Sequence, residues 1–230
     1  MDRFVAIVLS AGSGKRMGAD IPKQYMDLKG KPIIYYSIKA FEDSAVQDII
    51  IVTGESDVEF MKNDIVDKFG FNKVTSIVAG GNERYDSVYN GLLEARKNTD
   101  ASYVMIHDGA RPFVGQEVIS SCMDNVKKTR ACIAGMPVKD TIKVVDDNNV
   151  IVDNPRRETL WQAQTPQCFE LELAYKSYKE MIESGATASV TDDAMVVEKF
   201  GGVKVKMVEA SYDNMKITTP IDIALGQLLV

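Results

Sequence analysis

Five short runs of mostly apolar residues constrain the fold of this chain more than any other feature. They are Phe4–Leu9, Asp48–Thr53, Val74–Val78, Ser102–His107 and Ala131–Met136. Each has the length and the β-branched content of a buried strand, and stretches with helical periodicity separate them. Repeated strand–helix units predict an α/β fold, namely a Rossmann-like, mostly parallel sheet with helices on both faces.

Polar loops follow these strands, and they are expected to meet at one edge of the sheet. The loops are Ser10–Lys23, the pair Gly80-Gly81 and the segment Asp108–Arg111. In open parallel sheets, ligands bind in the crevice at the carboxyl ends of the strands. The sequence therefore predicts a binding site where these loops converge.

The loop Ser10–Lys23 has the composition of a phosphate site, because glycines at its start alternate with small residues and three cations follow. It is not a P-loop, since Arg16 stands where that motif needs Ser or Thr. It also lacks the dinucleotide fingerprint, because Met17 stands at the position of the third glycine. The loop is interpreted as a phosphate cradle of another kind, and the alternative is an ordinary basic turn.

The strand–helix pattern changes after Met136. Thr141–Val145 and Val150–Val152 alternate like the strands of a β-hairpin, with a polar turn between them. An isolated hairpin is marginally stable in water, so an arm at about 138–160 is expected to protrude and pack on another subunit. The alternative is a hairpin folded back on its own domain. Residues 1–230 are otherwise expected to form a single domain.

Composition narrows the class of protein. The net charge of −6 argues against nucleic acid as a partner, although a local cationic pocket could still bind an anionic substrate. The three cysteines, Cys122, Cys132 and Cys168, are odd in number and lack metal-ligand spacing, which favours reduced thiols in the cytoplasm. Neither a signal peptide nor a membrane-spanning apolar run is expected.

The chemistry of the predicted crevice is that of charge neutralisation. It is rich in Arg, Lys, Asp, Thr and Gly, and the chain's one histidine, His107, is interpreted as a packing or hydrogen-bonding residue rather than a base. Such a site suits a reaction whose substrate brings its own nucleophile. Nucleotidyl transfer to a phosphate monoester is such a reaction, because the monoester is already largely a dianion near neutral pH.

Nine runs along the chain are similar, in order, to those of the 2-C-methyl-D-erythritol 4-phosphate cytidylyltransferases, the CTP-dependent enzymes of the non-mevalonate isoprenoid pathway. The runs are Ala11–Met17, Pro22–Gln24, Gly80–Val88 in part, His107–Pro112, Pro137–Lys143, Leu160-Trp161, Thr165–Gln167, Thr191-Asp192 and Asn214–Lys216. The resemblance implies a homodimer joined through the arm. It also implies Mg²⁺ held mainly by triphosphate oxygens, with few direct protein ligands.

The resemblance implies roles residue by residue. Arg16 and Lys23 resemble the pair that stabilises the transition state at the α-phosphate. The nucleotide-binding residues implied are Ser10, Ala11, Gly12, Gly14, Gly81, Asn82, Arg84, Ser87 and Gly109, the last lying in the loop of Asp108. The acceptor-binding residues implied are Asp108, Arg111, Thr141, Arg157, Thr165 and Lys216, of which Thr141 and Arg157 would serve the other subunit's site.

Three departures and two alternatives remain open on the sequence. Asn82 stands where some members have Asp, Gly109 replaces a common Ala, and Arg156 precedes Arg157. The register set by Leu160-Trp161 favours Arg157 as the phosphate ligand. A ribitol 5-phosphate cytidylyltransferase would share the same motifs, and a non-catalytic nucleotide sensor that dimerises through the arm is the alternative from another class.

Overall fold

The computed structural model describes residues 2–12, 22–188 and 190–230. The strands of the described part are Phe4–Ser10 (β1), Asp27–Leu28 (β2), Lys31–Pro32 (β3), Asp48–Thr53 (β4), Val74–Ala79 (β5), Tyr103–Asp108 (β6), Ala131–Pro137 (β7), Val144–Val145 (β8), Ile151–Asp153 (β9), Trp161–Glu170 (β10) and Lys206–Glu209 (β11). The helices are Ile33–Glu42 (α1), Val58–Phe60 (α2, continued by a π-helix over Met61–Asp67), Arg84–Asn98 (α3), Gln116–Thr129 (α4), Leu171–Glu183 (α5), Asp193–Gly201 (α6) and Pro220–Gly226 (α7).

Seven of these strands form one sheet in the order β11-β7-β10-β6-β1-β4-β5. Neighbouring strands run parallel except β10, which lies antiparallel to both β6 and β7. The predicted mostly parallel sheet is confirmed. All five apolar runs form strands within it. Four of them, β1, β4, β6 and β7, are largely buried on both faces, whereas β5 lies at the edge of the sheet and is only partly buried.

Helices cover both faces, as predicted. Buried side chains of α1, the π-helix and α4 pack on one face of the sheet, and those of α3, α5 and α6 pack on the other. The central strand β1 contributes to both clusters, with Ala6 and Val8 on the first face and Val5 and Ile7 on the second. The chain thus forms a three-layer α/β structure.

The register of the central strands brings their carboxyl ends together. Leu9 of β1 lies opposite Asp108 of β6, and Ser10 lies opposite Thr53 of β4. Gly80, directly after β5, donates its N–H to Thr53 O at 2.7 Å. The loops after three neighbouring strands therefore leave the sheet at one level.

The strand β10 was not predicted, since the sequence showed no strand or helix pattern over 155–167. Its pairing with β7 shifts between Ala163 and Gln167, and the Thr165-Pro166 peptide bond within this irregular stretch is cis. Gln164, Thr165 and Gln167 are buried polar residues in this strand. A polar, bulged strand lacks the regular alternation by which strands are recognised.

The predicted hairpin is present as the separate two-stranded sheet of β8 and β9. Residues 139–154 are all exposed, and Val150 and Val152 are 59% and 61% exposed. The hairpin therefore does not fold back into the core. In the described part of the chain, none of the helices combines the length and apolar character needed to cross a bilayer.

Candidate active site

A cavity of about 460 Å³ opens at the carboxyl edge of the sheet, where the sequence predicted a crevice. Its walls come from the ends of β1 and β6, the turn between β5 and α3, the segment after position 22, and a C-terminal segment. The lining residues are Leu9, Ser10, Ala11, Gly12, Lys23, Gln24, Gly81, Asn82, Glu83, Arg84, Ser87, Asp108, Ala110, Lys216 and Thr218.

The start of the glycine-rich loop and its return form one wall. Ser10, Ala11 and Gly12 line the cavity, whereas Gly14 and Arg16 lie outside the described residues. The returning chain is fixed to the end of β1 because the buried Gln24 Nε2 donates to Ser10 O at 2.7 Å. This contact places Lys23 at the cavity, where its Nζ donates to Ile217 O at 3.2 Å.

The turn between β5 and α3 approaches the end of β1 closely. A Cβ on Gly80 would lie 2.5 Å from Ala11 Cβ, and one on Gly81 would lie 2.2 Å from Asp86 Cβ. Ser87 Oγ accepts the Gly81 N–H at 3.1 Å and donates to Glu83 O. Glycine is therefore required here for the close approach, and Ser87 fixes the turn that presents Asn82.

Arg84 connects the cavity to the interior of the protein. Its guanidinium donates to both oxygens of Asp193, at 2.6 and 2.8 Å, and the Asp193 side chain is fully buried. Tyr178 Oη donates to the same carboxylate. Burial by itself would lower the pKa of Arg84, but the charge of Asp193 raises that pKa well above its usual value. Arg84 is thus a fixed cation.

Asp108 is the carboxylate at the centre of the cavity wall. Lys216 Nζ lies 2.7 Å from its Oδ2, Arg84 Nε lies 3.6 Å from Oδ1, and Arg111 Nε lies 3.9 Å from Oδ2. Burial would raise the pKa of Asp108, but Arg84, Lys216 and Arg111 outweigh it and hold that pKa far below its usual range. The carboxylate therefore stays ionised.

A buried hydrogen-bond chain supports Asp108 from below. The Asp108 N–H donates to Thr165 Oγ1 at 3.1 Å, and Thr165 Oγ1 lies 3.0 Å from His107 Nδ1. His107 Nε2 lies 3.0 Å from Arg111 O, which can only accept, so this nitrogen carries the ring proton. The fully buried His107 has no exposure to the cavity, which agrees with its interpretation as a hydrogen-bonding residue.

The C-terminal segment is attached to the same loop. Asn214 Nδ2 donates to Gln164 Oε1 and to Thr165 O, and Arg111 Nη1 donates to Asn214 O at 2.8 Å. Ile217 N donates to Ala110 O at 2.8 Å. These contacts position Lys216 next to Asp108.

Several residues implied by the resemblance lie away from the cavity lining. Gly109 and Thr165 are packed behind it, where a Cβ on Gly109 would lie 2.8 Å from Leu9 O. Arg111 is largely covered by its partners. Thr141 and Arg157 lie on the exposed arm, and Arg157 Nη1 donates to Lys139 O at 3.2 Å.

Sequence analysis also missed residues that the structure brings to the site. Gln24, Glu83 and Thr218 line the cavity, and Asp193 anchors Arg84 from a position 109 residues along the chain. Gln24 directly follows Lys23, and Thr218 lies two residues after Lys216. Asp193 directly follows the run Thr191-Asp192, and nothing in the sequence links it to Arg84.

Comparisons with known proteins agree on one family. The family model "IspD: 2-C-methyl-D-erythritol 4-phosphate cytidylyltransferase" matches residues 4–230. A 2-C-methyl-D-erythritol 4-phosphate cytidylyltransferase of Lachnospira eligens is 49% identical over 98% of both chains. The enzyme of the same name from Lachnoclostridium phytofermentans is 43% identical over 100% of this chain and 97% of its own.

A solved structure gives the same result. The crystal structure of 4-diphosphocytidyl-2C-methyl-D-erythritol synthase from Anaerococcus prevotii superposes with a TM-score of 0.86 at 30% identity, over 99% of this chain and 95% of that one.

Proposed function

The chain belongs to the 2-C-methyl-D-erythritol 4-phosphate cytidylyltransferase family, and from that premise we propose how its residues transfer CMP from CTP to 2-C-methyl-D-erythritol 4-phosphate. The enzyme is a nucleotidyltransferase of isoprenoid biosynthesis through the non-mevalonate pathway. The products are 4-(cytidine 5′-diphospho)-2-C-methyl-D-erythritol and pyrophosphate. Residues 1–230 form a single nucleotidyltransferase domain with an arm at about 138–160.

CTP lies between the glycine-rich loop and the turn after β5. The backbone of Ser10, Ala11, Gly12 and Gly14 holds the triphosphate, and Gly81, Asn82, Arg84 and Ser87 surround cytosine and ribose. The close approach of Gly80 to Ala11 supports this arrangement, because it brings the two backbone segments to one ligand. Gly109 contributes from behind, since its N–H donates to Leu9 O.

The acceptor lies on the Lys216 side of the cavity. Asp108 orients its hydroxyl groups, and Lys216 and Arg111 form its phosphate-binding side. Thr165 supports that side from behind through its hydrogen bonds to Asp108 N and His107 Nδ1. The observation that carries this assignment is the ion pair of Lys216 with Asp108, which sets one cation and one hydrogen-bond acceptor at adjacent positions. A phosphate monoester with neighbouring hydroxyl groups needs both.

The reaction is an in-line displacement at the α-phosphorus. An oxygen of the acceptor's phosphate attacks, the bond to the β-phosphate breaks, and pyrophosphate leaves with that electron pair. Arg16 and Lys23 stabilise the negative charge on the α-phosphate oxygens, so the protein supplies orientation and charge rather than a nucleophile.

A divalent cation fits this site only when it is bound together with the triphosphate. Asp108 is the central carboxylate of the described cavity, and Lys216, Arg84 and Arg111 already surround it. Mg²⁺ would therefore be held mainly by phosphate oxygens, and it would neutralise part of their charge.

The arm makes the enzyme a homodimer, and its Thr141 and Arg157 complete the acceptor site of the other subunit. Support comes from the apolar side chains that the arm exposes, with Val145 at 46% and Ile151 at 54%. We expect the dimer to act in the cytoplasm, without nucleic acid or membrane as partner, and the three unpaired cysteines agree with a reducing compartment.

Pyrophosphate release tests the activity. The purified protein with CTP and Mg²⁺ is expected to release pyrophosphate faster with 2-C-methyl-D-erythritol 4-phosphate than with ribitol 5-phosphate. Lys23→Ala should lower kcat. Lys29→Ala should leave kcat unchanged, because Lys29 is a basic residue outside the cavity lining. Faster turnover of ribitol 5-phosphate would contradict the acceptor, and CTP binding without pyrophosphate release would favour a nucleotide sensor.

Subunit mixing tests the shared site. Lys23→Ala and Arg157→Ala proteins are each expected to be nearly inactive. After the subunits are exchanged, a heterodimer has one site with an intact Lys23 and an intact Arg157 from the partner, so activity should return. The control mixes Lys23→Ala with Lys216→Ala, because both of these residues lie in the part of the site that a subunit builds from its own chain. The control pair is expected to stay inactive, because each of its two sites lacks one lysine. No recovery with the first pair, or equal recovery with both pairs, would contradict the role of the arm.

A further inference from the structure

A cluster of three thiols lies in the core, away from the cavity lining. Cys122 of α4, Cys132 of β7 and Cys168 of β10 are all buried, and their Sγ atoms lie within 4.8 Å of one another. In the described part of the chain this is the one group of three or more His, Cys, Asp or Glu residues with such spacing. No step of the proposed reaction uses these thiols.

Secondary structure fixes the three positions relative to one another. Cys132 and Cys168 are direct partners across the antiparallel pair of β7 and β10. Cys122 approaches from the helix above, where its carbonyl accepts the Cys132 thiol at 3.4 Å. Three sulfurs that each lie about 2.3 Å from a common centre are at most about 4.0 Å apart, so the thiols must move closer together by side-chain rotation when they bind it.

The surroundings restrict what these thiols can bind. The three cysteines belong to a cluster of buried, mostly apolar residues that includes Met105, Val126 and Ala134. Lys206, opposite Cys132 on β11, is the adjacent cation, and its side chain is exposed. A net charge in such a place is costly, because the core cannot replace the solvation that water provides.

Charge balance selects the ligand class. Three thiolates leave a charge of −2 with a monovalent ion, −1 with a divalent ion and zero with a trivalent centre. We propose that Cys122, Cys132 and Cys168 form a binding site for a trivalent, thiol-seeking metalloid, with arsenous acid as its simplest form. Each thiol proton combines with one hydroxide of As(OH)₃, so three As–S bonds form, three As–O bonds break and three water molecules leave without any change of oxidation state.

Arsenous acid can reach the thiols only if α4 opens locally from the sheet. Once bound, it links α4 covalently to β7 and β10. The complex therefore stabilises the native state, since the unfolded chain has no preformed site. The reduced protein is incubated with sodium arsenite and freed of excess reagent. We expect one arsenic per chain by intact mass, three fewer titratable thiols after unfolding, and a higher Tm.

Matched variants separate ligation from loosened packing. Cys122→Ala should weaken arsenite binding by on the order of 100-fold or more, because it removes one of three bonds to the centre. Val126→Ala truncates another buried residue of the same helix and retains all thiols, so it should still bind one arsenic. CdCl₂ replaces arsenite in a parallel titration and is expected to bind more weakly.

Three results would overturn the proposal. The first is equal arsenite binding by Cys122→Ala and the unaltered protein. The second is a reaction of arsenite with the thiols only when the chain is unfolded in urea. The third is tighter binding of Cd²⁺ than of arsenite. The last result would show that the site accepts a net charge.

Discussion

Lys216 Nζ lies 2.7 Å from Asp108 Oδ2, and 108 residues of chain separate the two side chains. The pair forms because the C-terminal segment is hydrogen-bonded to the loop after β6, through Ile217 N to Ala110 O and Arg111 Nη1 to Asn214 O. One side of the cavity therefore depends on a contact between the centre of the sheet and the end of the chain.

Lys216→Met is expected to raise KM for the acceptor and to lower kcat/KM by about 10- to 150-fold, while KM for CTP changes little. The lost interaction is a charge-assisted hydrogen bond, and such bonds contribute about 1.5–3 kcal/mol. Steady-state kinetics with each substrate varied in turn provides the measurement. Lys216→Arg keeps the charge and should recover part of the activity. A rise in KM for CTP alone would contradict the assignment of Lys216 to the acceptor.

Asp193→Asn is expected to destabilise the protein by about 2–3 kcal/mol. Loss of one partner from a fully buried ion pair costs about 3–5 kcal/mol, and the effect is smaller here because the Arg84 side chain is 35% exposed. Urea denaturation gives the free energy of unfolding. Asp192→Asn serves as the control, because Asp192 caps α6 by accepting the Met195 N–H and Asn is an equally good cap. An equal decrease in the free energy of unfolding in both variants would show that the bidentate pair of Arg84 and Asp193 contributes little to stability.

Thr165→Val distinguishes a structural hydroxyl from a substrate ligand. The Thr165 hydroxyl serves Asp108 N and His107 Nδ1, so its removal leaves buried polar atoms unpaired at a cost of about 1–3 kcal/mol. A lower urea midpoint is therefore expected, and Thr165→Ser should restore it. An unchanged midpoint with a raised KM for the acceptor would instead indicate that this hydroxyl acts mainly on the substrate's phosphate.

The sequence predicted most of the sheet because apolar runs and helical periodicity are local signals. The five predicted strands, the helices on both faces and the hairpin all appear in the structure. By contrast, β10 was missed, since Gln164, Thr165 and Gln167 are polar residues buried through hydrogen bonds to the C-terminal segment and α6. Such burial depends on distant partners and leaves no hydrophobic pattern.

In the candidate site, too, features with a local sequence signal were predicted and contacts between distant residues were not. The end of β1, the turn after β5 and Asp108 were located from the sequence, because loops at the carboxyl ends of parallel strands converge. The pairing of Arg84 with Asp193 could not be predicted, since helical or strand spacing carries no information across 109 residues. The resemblance implied Lys216 as an acceptor residue, and its contact with Asp108 needed the fold.

The single histidine gives the protein a distinct pH dependence of stability. Burial lowers the pKa of His107 to about 4, against about 6.5 for an exposed histidine. Above pH 6.5 the ring is neutral in both states and contributes no pH dependence. Between pH 6.5 and 4 the unfolded chain binds a proton that the native state does not bind. The free energy of unfolding therefore decreases as the pH falls, by up to about 1.4 kcal/mol per pH unit.

Urea denaturation at pH 7, 6 and 5 checks this expectation before most carboxyl groups titrate. The slope between pH 6 and 5 should disappear in His107→Gln, although that variant is expected to be less stable at every pH because it disturbs the contacts to Thr165 and Arg111. Since the chain has one histidine, its Cε1–H proton gives one NMR signal whose shift with pH reports the native pKa directly. A ring that titrates near pH 6.5 in the native state, or a flat stability profile from pH 7 to 5, would be incompatible with a buried, neutral His107 supporting Asp108.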